Sequence, residues 1–183
     1  MQRSVAAVLI TLKAKGSSDA LPSRRLATGA ACGLLISAVI IALDLWTKNL
    51  AGEHLEYAQP VVLLPVFNLT LHFNTGAAFS FLSDAGGWQR WFFSGIAAVV
   101  SLVLLVWIFR LKAEQRLLLI SLSLILGGAL GNLWDRLTLG YVVDFISLHY
   151  NEYYFPTFNI ADAAITVGAA LMLLDTFLNP GER

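Results

Sequence analysis

FFSGIAAVVSLVLLVWIF, from Phe92 to Phe109, runs for eighteen residues without a charge. A helix needs about 20 predominantly apolar residues, with a tolerance of roughly 17–25, to cross the hydrocarbon core of a bilayer. Three further stretches meet the same test: LATGAACGLLISAVIIAL (Leu26 to Leu43), LLLISLSLILGGALGNLW (Leu117 to Trp134) and FNIADAAITVGAALMLLDTFL (Phe158 to Leu178). The composition agrees. Of 183 residues, 57% are hydrophobic and 13% charged, about half the usual quarter, and mean hydropathy is +0.71. So much apolar surface does not fit inside one small soluble core. Twelve basic and twelve acidic residues leave no basic field for nucleic acid. A single Cys excludes a disulfide framework and a multi-Cys zinc site. The solvent of this chain is lipid.

The Lys and Arg residues orient the spans. With both termini cytoplasmic, Arg3, Lys13, Lys15, Arg24, Arg25, Arg110, Lys112, Arg116 and Arg183 lie inside, and only Lys48, Arg90 and Arg136 outside. All five Trp fall at or beside span ends, as an interfacial belt requires. Residues 1–25 read as a cytoplasmic tail, 26–178 as the membrane domain and 179–183 as a second short tail. Val5 to Leu12 has the look of a signal-peptide core, but Lys13 and Lys15 follow it and no A-x-A site appears, so a flexible or interfacial tail is favoured. Gly16, Ser17, Ser18 and Pro22 read as linker.

Two outer loops separate the spans. In the first, 51–90, Phe67, Leu69, Leu71 and Phe73 alternate with Asn68, Thr70, His72 and Asn74, the period of a strand. Asn74-Thr75-Gly76 is a turn signal, after which Ala77 to Leu82 is expected to return as a second strand. The expected fold is an α-helical membrane protein with four transmembrane helices and a small extracytoplasmic β-sheet platform in this first outer loop. The alternative for the loop is a plain structured connector. The second outer loop, 135–157, carries Asp144 within GYVVDFISL.

Ionisable residues inside a span cost about 2.5–3.5 kcal/mol at mid-helix on insertion scales and are functional candidates by default. Asp44 and Lys48, at i and i+4, suit a helical ion pair, and a structural anchor is favoured over chemistry there. Gly128, Asn132 and Arg136 share one face of the third span, with Asp135 beside them. Gly127 and Gly131 form a small-xxx-small pair that admits a close neighbour. Asn132 is equally readable as interhelical glue, and Arg136 as a snorkelling interfacial residue. Asn159 and Asp162 sit at the start of the fourth span, where a cap and a dipole-favoured carboxylate explain them. That explanation leaves Asp144 over, a second carboxylate 18 residues earlier at the same membrane face. Two neighbouring carboxylates in a low dielectric do not both ionise easily; one keeps a proton and the other serves as base, the arrangement that activates water against a carbonyl. Cys32 lacks a partner His, and His54, His72 and His149 lack ligand spacing. Paired-Asp catalysis, proton-coupled transport with Asp162 as relay, and a structural or scaffold role all remain open on spacing alone.

Five blocks in order carry a resemblance: LDLWTK (Asp44, Lys48), FNTGAAFS (Asn74 to Ser80), GGALGNLWDRL (Gly127 to Leu137), GYVVDFI (Gly140 to Ile146) and FNIADAAITVG (Phe158 to Gly168). Over about Leu26 to Leu178 the chain resembles the lipoprotein signal peptidases (signal peptidase II), bacterial membrane aspartyl proteases. The resemblance implies Asp144 and Asp162 as catalytic residues, with Asp44, Lys48, Asn74, Asn132, Arg136 and Asn159 in support. It implies cleavage of prolipoproteins just before a diacylglyceryl-modified lipobox Cys, no metal or organic cofactor, and a multi-pass place in the bacterial inner membrane with the site at its outer face; membrane lipids surround the chain, and nothing in the sequence demands more than a monomer. The family often has Gln after the first aspartate, where this chain has Leu45, and the tail before Leu26 is longer than usual.

Overall fold

A computed structural model describes residues 20–76 and 87–180, with side chains from residue 29 onward. Four helices carry the fold: α1 (Ala20–His54), α2 (Trp88–Arg110), α3 (Arg116–Thr138) and α4 (Ile160–Leu178). All four are long and apolar enough to cross a membrane. Pro22, read as linker, lies in the first turn of α1, where its missing N–H would have had no helical partner; Gly16, Ser17 and Ser18 lie outside the described residues. At its other end α1 continues to His54, eleven residues beyond the hydropathic stretch. Asp44 and Lys48 do not stop it because they are paired inside the protein.

α3 is the central helix, packed against α1, α2 and α4. Half of its span is buried in the protein, against 22% in each of the others. Small residues make that position possible. A Cβ on Gly127 would stand 2.9 Å from the Ser37 carbonyl of α1, and one on Gly131 would meet the Asp44 carboxylate at 2.6 Å. Gly128 faces the other way, and a Cβ there would collide with the Ala161 carbonyl of α4. The i, i+4 glycine pair therefore admits α1, and its neighbour admits α4. The Ser37 hydroxyl crosses to the Ser123 carbonyl at 2.8 Å, a polar tie within the spans. Away from these contacts the helices present apolar side chains outward, and Trp46, Trp88, Trp91, Trp107 and Trp134 are all exposed.

One end of the bundle bears a four-stranded sheet in the order β1 (Val61–Leu64), β2 (Phe67–Asn74), β3 (Val142–Tyr150), β4 (Tyr153–Tyr154), every pair antiparallel. The alternating strand forms where its pattern predicts, and the described sheet is not confined to the first loop. The strand pairs with β1 upstream and with β3 from the second loop, so both loops build the sheet. Ala77 to Leu82 lies outside the described residues. Between the pairs Leu69↔Ile146 and His72↔Asp144, two residues of β2 oppose one of β3. This bulge turns Thr70 and Leu71 together to the buried side. It also reverses the phase of the strand, so that His72 and Asn74 stand on the same face as Asp144.

Candidate active site

The polar centre begins with Lys48, which is only 4% exposed. An ammonium in such a place requires partners, and its three donors have three acceptors. Asp44 Oδ2 lies at 2.7 Å, Asp135 Oδ2 at 3.0 Å and Asn132 Oδ1 at 2.9 Å. Asp44 turns its other oxygen to the backbone N–H of Ala161, 2.9 Å away in the first turn of α4. Asp135 Oδ2 also accepts from the Val143 N–H at 3.1 Å. One lysine thus ties α1 to α3, and its two carboxylates reach α4 and β3.

Two asparagines carry this framework to the outer pair of carboxylates. Asn132 donates to Asp162 Oδ1 at 2.8 Å. Fully buried Asn159 caps α4: its side chain accepts from the Asp162 N–H at 2.9 Å while Asp162 Oδ2 accepts from the Asn159 N–H at 3.3 Å. This reciprocal capping box satisfies orphan amides at the helix start. The Asn159 Nδ2 group then donates to Asp144 Oδ1 at 2.8 Å, with Asn132 Oδ1 and the Val143 carbonyl at 3.2 Å. On the other side of Asp144, Asn74 Nδ2 donates to Oδ2 at 3.2 Å. Both carboxylates are therefore held by one residue, Asn159, in addition to their own amide donors.

Asp144 is 2% exposed, and Asp162 is half-buried. Burial, and then the nearby charge of Asp162, push the Asp144 carboxyl up to about 7, against the opposing pull of the Asn74 and Asn159 amides and Lys48. Arg136 completes the ring, with Nη2 donating to the Gly76 carbonyl at 3.2 Å and Nη1 to the Asn132 carbonyl at 3.4 Å. Asn74, Asn132, Arg136, Asp144 and Asp162 face a cavity of about 680 Å³ whose remaining wall is largely apolar, including Leu148, Phe155, Phe158, Ile165 and Val167. A carboxyl that holds its proton near neutrality, beside a carboxylate steadied by N–H donors, supplies an acid and a base to one cleft. Among the described residues no group of three His, Cys, Asp or Glu side chains is set to hold a metal ion.

All the singled-out residues, Asp44, Lys48, Asn74, Gly128, Asn132, Arg136, Asp144, Asn159 and Asp162, meet at this end of the bundle. Gly128 participates only through the close approach of α4 that it allows. Sequence reasoning noted Asp135 but gave it no task, although it is the second counter-charge of Lys48. The signal was present, since a buried Lys with one acid leaves donors to place. His72 was set aside for want of ligand spacing, but it pairs with Asp144 across the ladder and lies 3.3 Å from the Thr157 hydroxyl.

Four spans around a polar cleft that opens at one end of the bundle define a polytopic membrane enzyme. Residues 36–178 match the family model described as signal peptidase (SPase) II. Curated relatives called lipoprotein signal peptidase include one from Acinetobacter baumannii, 55% identical over 148 residues (81% of this chain, 84% of the relative). Another, from Photorhabdus laumondii, is 50% identical over 150 residues (82% and 90%). A bacterial membrane enzyme solved by the in meso method at 2.3 Å superposes with a TM-score of 0.74 at 29% identity, covering 84% of this chain and 92% of that one. A second, at 1.9 Å, gives 0.71 at 30% identity, covering 81% and 94%. The chain belongs to the signal peptidase II family, and is thereby an aspartic endopeptidase of the bacterial inner membrane.

Proposed function

We propose that the chain removes the signal peptide from diacylglyceryl-modified prolipoproteins, cutting just before the lipidated Cys with water activated between Asp144 and Asp162. The observation that carries this reading is the shared grip of Asn159 on both carboxylates at the wall of a mostly apolar cleft. Asp162, which accepts from the Asn132 amide and the Asn159 N–H, takes a proton from the attacking water. Asp144, which keeps its proton up to about 7, donates to the scissile carbonyl as the tetrahedral intermediate forms. Collapse of the intermediate passes a proton to the leaving amine, and the dyad returns to sharing one proton. Asn74, Asn132, Arg136 and Asn159 orient dyad and substrate, while Asp44, Lys48 and Gly128 hold the helices that present them.

A substrate carrying two acyl chains partitions into the bilayer and needs a site at its surface. The positive-inside distribution of Lys and Arg puts both termini in the cytoplasm and the sheet end at the outer face. Every group in the proposed mechanism comes from one chain, so a monomer among membrane lipids suffices. Purified Asp144→Asn and Asp162→Asn proteins are expected to stay folded and to lose cleavage of a diacylated lipobox peptide, while the wild type cuts that peptide and spares its unlipidated form. Normal turnover by either variant would overturn the assignment.

A further inference from the structure

The carbonyls at the end of α3 need partners, because the last turn of any helix leaves them without amides of its own. The chain supplies some of them. The N–H groups of Leu139 and Gly140 fold back onto the Asp135 carbonyl at 2.7 and 3.2 Å. Gly140 takes φ +91°, the left-handed conformation that commonly closes helices at this position. The Trp134 carbonyl accepts from the Thr138 hydroxyl. The carbonyls of Arg136 and Leu137 are taken by a side chain from another helix. Arg90, in the first turn of α2, donates Nε to the Arg136 carbonyl at 2.6 Å and Nη2 to the Leu137 carbonyl at 2.7 Å. These lengths suit charge-assisted bonds, and a cation at a helix C-terminus is also favoured by the dipole.

The same face of α2 touches Arg136 a second time. One turn further on, Phe93 lies under the Arg136 guanidinium, 5.7 Å from ring centroid to Cζ. Arg90 is itself braced, its guanidinium 4.9 Å from the Trp91 ring centroid. A Cβ at Gly140 would come to 3.5 Å from Arg90 Nη1, so the turn that leads from α3 into β3 closes directly over this guanidinium. Asn132, Asp135 and Arg136 lie before that turn, and Asp144 lies four residues after it.

We propose that Arg90 is a positioning residue for catalysis, a two-pronged clamp that fixes the end of α3 and so sets Arg136 and the α3–β3 turn against Asp144. The proposal rests on the reading of Asp144, Asp162 and Arg136 given above. Arg90 touches neither carboxylate and acts only through the backbone it holds. Lysine in its place keeps the charge at the helix end but has no planar fork, so charge alone does not replace it.

The test compares Arg90→Gln and Arg90→Lys with wild type, in detergent, on a diacylated lipobox peptide. Misplacement of a reacting group by about 1 Å costs up to roughly 100-fold. Arg90→Gln is expected to lower kcat about 10- to 100-fold with KM within twofold, and Arg90→Lys to recover part of that loss. Amide exchange across Leu137 to Asp144 is expected to quicken in both, while exchange in α4 stays at the wild-type rate. Full kcat in Arg90→Gln, a loss confined to KM, or faster exchange throughout the molecule would each overturn the clamp. Asp144→Asn run alongside separates the two ideas: turnover by that variant refutes the dyad, whereas the exchange measurement still reports on the clamp.

Discussion

Replacing Asp144 by Asn is expected to make the protein more stable at neutral pH while abolishing its activity. An ordinary aspartate titrates near 3.9 in an unfolded chain, but burial beside Asp162 carries Asp144 to about 7 in the fold. The folded state therefore binds this proton more tightly than the unfolded state does. The stability that the group contributes is complete below about pH 3.9, drains away as pH rises toward 7, and changes no further above that. A rise of roughly three pH units at 1.36 kcal/mol each amounts to about 4 kcal/mol, a usable conversion because the carboxyl is 2% exposed. Asparagine cannot ionise. Its carbonyl oxygen still accepts from one of the two amides, Asn74 and Asn159, that face it, while its NH2 group meets the other donor to donor, a cost that does not change with pH. The assay is thermal unfolding of both proteins in one detergent between pH 4 and 8. Relative to the wild type, the variant's Tm should climb by about 8–16 °C between pH 4 and pH 7 and hold that change above, using roughly 2–4 °C per kcal/mol for a chain of this size. A gap that stays constant with pH, or that shrinks as pH rises, would refute the reasoning.

The same titration should appear in the rate: kcat/KM for a lipidated peptide is expected to fall on the alkaline side with a midpoint near 7, and a profile flat from pH 6 to 9 would count against Asp144 as the acid. Lys48→Met leaves the Asp44 and Asp135 carboxylates buried without a cation, and equilibrium unfolding should record a loss of about 3–5 kcal/mol; adding Asp44→Asn and Asp135→Asn should restore part of it. Asn159→Ala removes a helix cap worth about 0.5–2 kcal/mol, but it also strips Asp144 of its 2.8 Å amide donor, so cleavage should fall far more than unfolding at assay temperature explains. Gly128→Leu should separate α3 from α4 and abolish cleavage, detectable as a lowered Tm even in the absence of substrate.

The spans were legible because hydropathy over about 20 residues is a strong, local signal. The cluster was legible for a related reason: against an apolar background Asp44, Lys48, Asn132, Arg136, Asn159 and Asp162 stand out, and although each has a bland explanation of its own, none of these accounts for Asp144. What escaped was non-local. A period of two identifies β2 as a strand but does not name its partner, and its main partner, β3, begins 68 residues after β2 ends. The bulge that brings Asn74 to Asp144 leaves no mark in the pattern, since Thr70 and Leu71 continue the alternation while both turning inward. Asp135 was obscured by its place at a span end, where a charge needs no explanation. The end of α1 was set too early, because hydropathy scores Asp44 and Lys48 as separate charges and cannot register that they neutralise one another.

The capping box at Asn159 has a further consequence for the timing of activity. Asn159 and Asp162 belong to α4, which follows the other three helices along the chain, and Ala161 beside them supplies the amide that Asp44 accepts. Until α4 enters the bilayer and docks on Gly128, Asp144 lacks both its neighbouring carboxylate and one of its two amide donors. A nascent chain of three helices thus lacks half of the proposed dyad. On the proposed mechanism, cutting power therefore arrives only when α4 inserts beside α3 and brings Asp162 and Asn159 to Asp144.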